Sequence, residues 1–265
     1  MRRIEVRPRL RLSVDDGGRG PAVFLLHGLA GFKELWTETL RELRQAGFRA
    51  IAYDHRGHGD SSEISAPWRI CDLSEDLALL MEALGVDRAC IVGHSMGGRA
   101  LFQFALNHPG RTWAVVPVGA HSEAPRPPYR EILDGVRHAT VSSGVPGFRA
   151  AFEQAGEIPE RVSRDPTFAQ RFEVLFARNR VAALVAALDA ILSMPALTPR
   201  LGEIAVPACS IVGERDTHFR ELAAYYEKVM PRCTTHVIPG CHHYPMTDQA
   251  RAFARSLGDF LRSAR

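Results

Sequence analysis

Residues 22–26 (AVFLL), 50–53 (AIAY) and 89–92 (ACIV) are short runs without a charged side chain. A strand that faces water on one side alternates apolar and polar residues. Runs that do not alternate fit strands covered on both faces, as in a parallel sheet between helical layers. Between these runs lie 35–46 (LWTETLRELRQA) and 73–84 (LSEDLALLMEAL), apolar at helical spacing and followed by Gly47 and Gly85. A glycine there suits the left-handed residue that closes a helix. Strand–helix–strand alternation predicts an α/β fold with a mostly parallel, doubly wound sheet. Residues 4–14 alternate around Pro8, which predicts two edge strands or a bent hairpin.

The strand signal lapses after His121 and returns at 209–212 and 236–238, before a terminal helix over 249–262. Pro125, Pro127 and Pro128 open the intervening segment, and Pro195, Pro199 and Pro207 close it. Its clearest helical pattern is 180–192 (RVAALVAALDAIL). The expected organisation is an α/β core from 1–120 and 206–265 with an all-helical insertion over 121–205. Both flanking strands end at the same sheet edge, so the insertion is expected to cover whatever that edge carries.

Composition removes several classes of function. The 265 residues suffice for a sizeable core, and the net charge of +3 is too small and too evenly spread to predict a nucleic-acid partner. The first residues (MRRIEVRPRLRL) lack the apolar stretch of a secretory signal, and no segment approaches the ~20 apolar residues of a membrane span. A cytoplasmic protein acting on a small molecule, without nucleic acid or membrane, is expected. Five cysteines with no C-x-x-C predict neither a disulfide framework nor a zinc ribbon, and no metal or cofactor is called for.

Gly93-His94-Ser95-Met96-Gly97 is a G-x-S-x-G segment with a strand pattern directly before it and a helical pattern directly after. A strand turning at once into a helix crowds the chain two residues either side of the serine, which explains both glycines. Ser95 would stand above the carboxyl edge of the sheet, with the Met96 N–H at the helix N-terminus facing any oxyanion formed there. A serine hydroxyl needs a base to take its proton, and that base needs an acid to orient it. Downstream, VGERD (212–216) ends a strand with Glu214 and Asp216, and IPGCHHYP (238–245) ends another with His242 and His243. Strand ends of this kind carry the sites of open α/β sheets.

LHGLAG, YDHRGHGDS, GHSMGGR, VGERD and IPGCHHYP, in that order, resemble the α/β-hydrolase superfamily over nearly the whole chain. The resemblance implies the α/β-hydrolase fold, with Ser95 as nucleophile, Asp216 as acid and His243 as base. It also implies that the loop after His27-Gly28 supplies a second oxyanion donor, the Leu29 N–H. In that register Asp216 is favoured over Glu214, and His243 over His242. His243 Nε2 is expected within hydrogen-bond range of Ser95 Oγ. The activity implied is hydrolysis of a small carboxylic ester, lactone or thioester through an acyl-enzyme.

A second expectation is a lyase or C–C bond hydrolase using the same triad. His27 to Trp36 (HGLAG-x-x-x-x-W) and Gly93 to Arg99 look like the menaquinone-pathway lyase of this superfamily, although Asp54-His55-Arg56-Gly57 departs from it. A ligand receptor retaining the triad is a third reading. Serine at position 95 argues against dehalogenase and epoxide-hydrolase chemistry.

Phe32 and Trp68 lie in loops at the active edge and are candidate substrate contacts, whereas Trp36 falls on a helix's apolar face and belongs to the core. Arg99 is either a solvated arginine or an anchor for a substrate carboxylate. Arg126, Arg130 and Arg137 read as a solvated face. His55, His58 and Asp60 match no metal-ligand spacing and read as a hydrogen-bonded loop. His94 is expected to shape the turn at Ser95, and Cys241 to pack.

Overall fold

The uninterrupted apolar runs become the middle of one mixed sheet. The computed structural model describes residues 2–63 and 67–264. Eight strands are formed: β1 (Arg2–Arg7), β2 (Leu10–Gly17), β3 (Ala22–Leu26), β4 (Arg49–Tyr53), β5 (Ala89–His94), β6 (Thr112–Val118), β7 (Ala208–Gly213) and β8 (Cys233–Ile238). Their spatial order is β1-β2-β4-β3-β5-β6-β7-β8. From β4 to β8 in that order all neighbours are parallel, and β1 and β2 join antiparallel. Val23, Phe24, Leu25, Leu26, Ile91 and Val92 are completely buried, as a strand covered on both faces requires.

The helical patterns also appear. The 35–46 pattern is a 3₁₀ turn at Lys33–Trp36 followed by a helix at Thr37–Gln45, and the 73–84 pattern is a helix at Ile70–Ala83. The first packs on the terminal helix Ala250–Ser263, and the second on the helix Met96–Asn107. Trp36 is fully buried, as its place on the apolar face predicts.

Of the two arrangements expected around Pro8, the hairpin is the one formed: β1 lies at the edge of the sheet, and β2 pairs with β1 on one side and β4 on the other. Pro8 lies in the turn between them, where Arg9 takes φ 68, so β2 keeps its N–H groups for both neighbours.

Register levels the strand ends. Leu26 pairs with Tyr53 and Gly93, His94 with Val118, Val118 with Ile211, and Gly213 with Ile238. The loops starting at His27, Asp54, Ser95, Gly119, Glu214 and Pro239 therefore all leave one edge. Buried charge pins two of them. Asp54 accepts from Lys33 N at 2.7 Å, Lys33 Nζ at 2.8 Å and Asp60 N at 3.0 Å. Arg56 grips Asp76 with two bonds of 2.6 Å. The segment holding His55 and His58 is thus a hydrogen-bonded loop, with His55 N donating to His27 Nε2 at 3.0 Å.

Between β6 and β7 the chain is helical: Tyr129–Gln154, broken at Gly144 (φ 67), then Arg161–Arg164, Pro166–Phe176, Val181–Leu192 and a 3₁₀ turn at Thr198–Glu203. Phe148, Phe152, Phe172 and Phe176 form its apolar interior. Polar contacts fasten it to the loops of the sheet edge. Asn179 Nδ2 donates to Ala30 O at 2.9 Å, Arg178 pairs with Asp60 at 3.0 Å, and Asp248 accepts from the Glu160 and Arg161 N–H groups. Among the described residues no helix is long and apolar enough to cross a membrane.

These pairs differ in what they contribute. Asp76→Ala is expected to lower the unfolding free energy by about 3–5 kcal/mol, because it leaves Arg56 charged and buried without its partner. Asp189→Ala, which breaks the exposed Arg137 pair, should cost no more than about 1 kcal/mol. Urea unfolding of both variants checks this, and equal losses would contradict it.

Candidate functional site

Ser95 sits between β5 and the helix Met96–Asn107 with φ 50 and ψ −113. Such a backbone is strained in any residue with a Cβ and persists only where its surroundings impose it. Here Ser95 N donates to Val118 O at 3.0 Å, and Ser95 O accepts from Gly98 N at 2.9 Å. A Cβ at Gly97 would lie 2.6 Å from both Leu26 O and His27 O, and one at Gly93 would lie 2.4 Å from Gly97 O. Both glycines are needed for the helix to start this close to β3. As the first residue of that helix, Met96 has an N–H without an intrahelical acceptor. The backbone of Gly28 runs against Ser95, since a Cβ there would reach 3.1 Å from Ser95 Cβ. Leu29 follows it, in a turn where Gly31 N donates to Gly28 O and Ala30 takes φ 56. The two N–H groups expected to hold an oxyanion thus flank Ser95 on separate loops.

The loops after β7 and β8 bring an acid to a base. Asp216 is buried, and its Oδ2 lies 2.9 Å from His243 Nδ1. Glu214 is exposed and instead accepts from Gly240 N at 2.9 Å, which shapes the histidine loop. His242 is half-buried, its Nδ1 has no hydrogen-bond partner among the described residues, and the bond to Asp216 goes to His243 instead. Phe219 stacks on the His243 ring at 4.7 Å, and His94 Nε2–H donates to His243 O at 2.9 Å. His94 therefore shapes the site from below, as expected of the residue before Ser95. Gly119 (φ 48) lies against the imidazole, where a Cβ would approach Nδ1 and Cε1 to 3.0 Å.

The reacting nitrogen departs from expectation. His243 Nε2 makes no hydrogen bond, to Ser95 Oγ or to any other atom, and Glu157 Oε2 stands 3.4 Å away at ion-pair distance. Burial pulls the His243 pKa down, but the carboxylates of Glu157 and Asp216 outweigh it and hold the ring up at about 9.

Arg99 is buried, so it is not a solvated arginine. Its Nη1 donates to Glu123 O at 3.1 Å and touches Met194 Sδ, while Nη2 has no partner. Burial lowers its pKa, with only the Tyr129 and Tyr226 hydroxyls as counterweights. Phe32 is buried and meets Phe172 of the insertion at 5.7 Å, beside a small cleft of about 160 Å³. Trp68 is buried in the main apolar core and lines neither this cleft nor the larger one beside Asp216. That larger cleft, of about 360 Å³, is lined by His121, Tyr129, Ile132, Glu157, Asp216 and Phe219 among others. Arg126, Arg130 and Arg137 are exposed and paired with nearby acids or carbonyls. Cys241 is buried. Among the described residues no group of three or more His, Cys, Asp or Glu is placed to hold a metal ion.

Sequence reasoning missed Glu157, Phe219 and Gly119. The first had a local signal: Ala155-Gly156 closes the helix before it, with Gly156 at φ 74 and Glu157 N returning to Phe152 O at 2.9 Å.

Residues 21–250 match the family described as alpha/beta hydrolase fold. A protein assigned as carbamate hydrolase RutD of Variovorax paradoxus is 31% identical, over 95% of this chain and 96% of its own. The 2-hydroxy-6-oxononadienedioate/2-hydroxy-6-oxononatrienedioate hydrolase of Burkholderia vietnamiensis is 30% identical, over 98% and 93%. Among solved structures, an esterase from Thermogutta terrifontis superposes with a TM-score of 0.85 at 25% identity, covering 96% of this chain and 94% of that one.

Gly119→Ala tests how tightly the imidazole is seated. The added methyl meets both a left-handed backbone and the ring, so the variant should lose about 1 kcal/mol or more of stability and shift the His243 resonances. Chemical denaturation and histidine NMR check this, and an unmoved His243 signal would contradict it.

Proposed function

The chain belongs to the α/β-hydrolase family and is an enzyme of that fold, and from this premise we propose that it hydrolyses a small carboxylic ester, lactone or thioester through an acyl-enzyme on Ser95. The observation that carries this reading is the convergence of a strained Ser95 with the buried Asp216–His243 pair at one sheet edge. Ser95 Oγ attacks the carbonyl carbon as His243 Nε2 takes its proton. Asp216 holds Nδ1–H, fixing the tautomer and stabilising the imidazolium. The Leu29 and Met96 N–H groups receive the oxyanion, a contribution of about 10²–10³ in rate for each donor of this kind. His243 then protonates the leaving group, and a water activated by the same nitrogen frees the acid. No metal or cofactor takes part in these steps.

The helical insertion over 121–205 is read as a cap that selects the substrate. Phe32, where that insertion meets the loop after β3, is the apolar contact, whereas Trp68 supports the core. Arg99 points to an acyl group that carries a carboxylate, because among the described residues this buried guanidinium has only Glu123 O, Met194 Sδ and the Tyr129 and Tyr226 hydroxyls around it and no carboxylate partner. The same arginine favours a second reading, C–C bond hydrolysis or a lyase reaction on the same triad. The Burkholderia vietnamiensis relative is named for a dienedioate, a substrate with carboxylates.

Ser95→Ala should lower turnover by about 10⁴-fold or more with the fold intact. A serine-directed phosphonate should label Ser95, and retained activity in the alanine variant would sink the acyl-enzyme. His243→Ala should be crippled similarly while His242→Ala keeps most activity; the reverse result would move the base by one residue. Arg99→Met should weaken kcat/KM for carboxylate-bearing esters by about 10-fold or more, without matching loss on neutral ones. Equal losses on both would remove the anchor.

A further inference from the structure

We propose that Glu157 is a positioning residue: from the insertion, it holds the reacting nitrogen of His243 away from Ser95 until the carboxylate is displaced. This rests on the reading of His243 as the base. It goes beyond that reading by making availability of the base depend on where the cap sits.

The geometry is local and specific. The turn at Ala155-Gly156 ends the helix Tyr129–Gln154 and aims the next residue at the sheet edge. Glu157 is tied there by its own backbone, since its carbonyl accepts from the hydroxyl of Tyr244, the residue after His243, at 3.0 Å. Its Oε2 lies 3.4 Å from Nε2, the nitrogen that would take the Ser95 proton. No hydrogen bond links Nε2 to Ser95.

His243 faces Asp216 through Nδ1, the His94 ring at 4.6 Å, His121, and the more distant carboxylate of Asp248. Glu157 faces Asp216, His242, His218 and the Tyr129 hydroxyl besides His243. Burial raises the Glu157 pKa and His243 lowers it in return. Two carboxylates on one imidazole favour its protonated form, and a protonated ring cannot accept the serine proton. The ring is therefore charged below about pH 9 and becomes a base above it while Glu157 is in place. Removing the negative charge at Nε2 removes one of the two groups that hold the proton, so the base should appear at lower pH.

The test uses the whole protein and needs no knowledge of its substrate. The His243 ring is titrated by NMR, and the rate of Ser95 labelling by a fluorophosphonate is followed from pH 5 to 10, in wild type, Glu157→Gln, Glu157→Ala and Glu157→Asp. In the Gln and Ala variants both the titration and the rising limb of the labelling rate should move down by about one pH unit or more. Glu157→Asp, which keeps the charge one methylene further back, should fall between. An unchanged His243 titration would overturn the proposal. So would a moved titration with an unmoved labelling limb, because Glu157 would then be a neighbour that does not govern the reaction. Absence of labelling at every pH in every variant would instead sink the acyl-enzyme reading, and the titration would decide alone whether Glu157 claims the nitrogen.

Discussion

The left-handed turn at Ser95 is the constraint around which the rest of the edge is built. A residue with a side chain is held at φ 50 because β5 must hand directly to a helix packed against β3. That closeness forbids a Cβ at Gly93 and Gly97 and presses Gly28 against the serine. The strain is sustained by the bonds from Ser95 to Val118 and from Gly98 to Ser95, and by strands that are buried along their whole length. Were β3, β5 and β6 not level at their carboxyl ends, the serine, the Leu29 loop and Gly119 would not meet.

Electrostatics then divides the buried charges into two kinds. Lys33–Asp54 and Arg56–Asp76 are mutually satisfied, and they fix loops without reaching the reacting centre. Arg99 and the Glu157–His243 contact are unfinished: one has an N–H group with no acceptor, the other has ion-pair distance without a hydrogen bond. Buried polar groups that the protein itself leaves unsatisfied are where a substrate can gain most. In the proposed reaction Arg99 would meet a negative charge, and Nε2 would carry the proton.

The insertion joins these features. Its prolines and Gly144 break one long helical stretch into pieces that turn back over the edge. Its aromatic interior is continuous with the core of the sheet, as in the contact of Phe32 with Phe172, and polar bonds to Ala30, Asp60 and Asp248 add to that packing.

Much of this was legible in the residues. Continuous apolar runs required strands covered on both faces, glycines after helical patterns marked their ends, and G-x-S-x-G between a strand and a helix fixed the place of Ser95. Strand ends narrowed the acid to Glu214 or Asp216 and the base to His242 or His243, and the resemblance to the α/β-hydrolase superfamily chose between them. The pairing of β2 on both sides was not legible, since edge and interior strands alternate alike and only the course of the turn at Pro8 separates them. Nor was the burial of Arg99, because a position in the first turn of the helix after Ser95 does not reveal that Glu123 and Met194 of the insertion will fold over it. Glu157 is the clearest case. It lies 86 residues from His243 in sequence, and the glycine before it marks only a helix end, which a surface glutamate would share. Local chemistry is written residue by residue and can be read that way. Contact between distant segments is decided by packing, and only the folded chain sets a cap carboxylate against the reacting nitrogen.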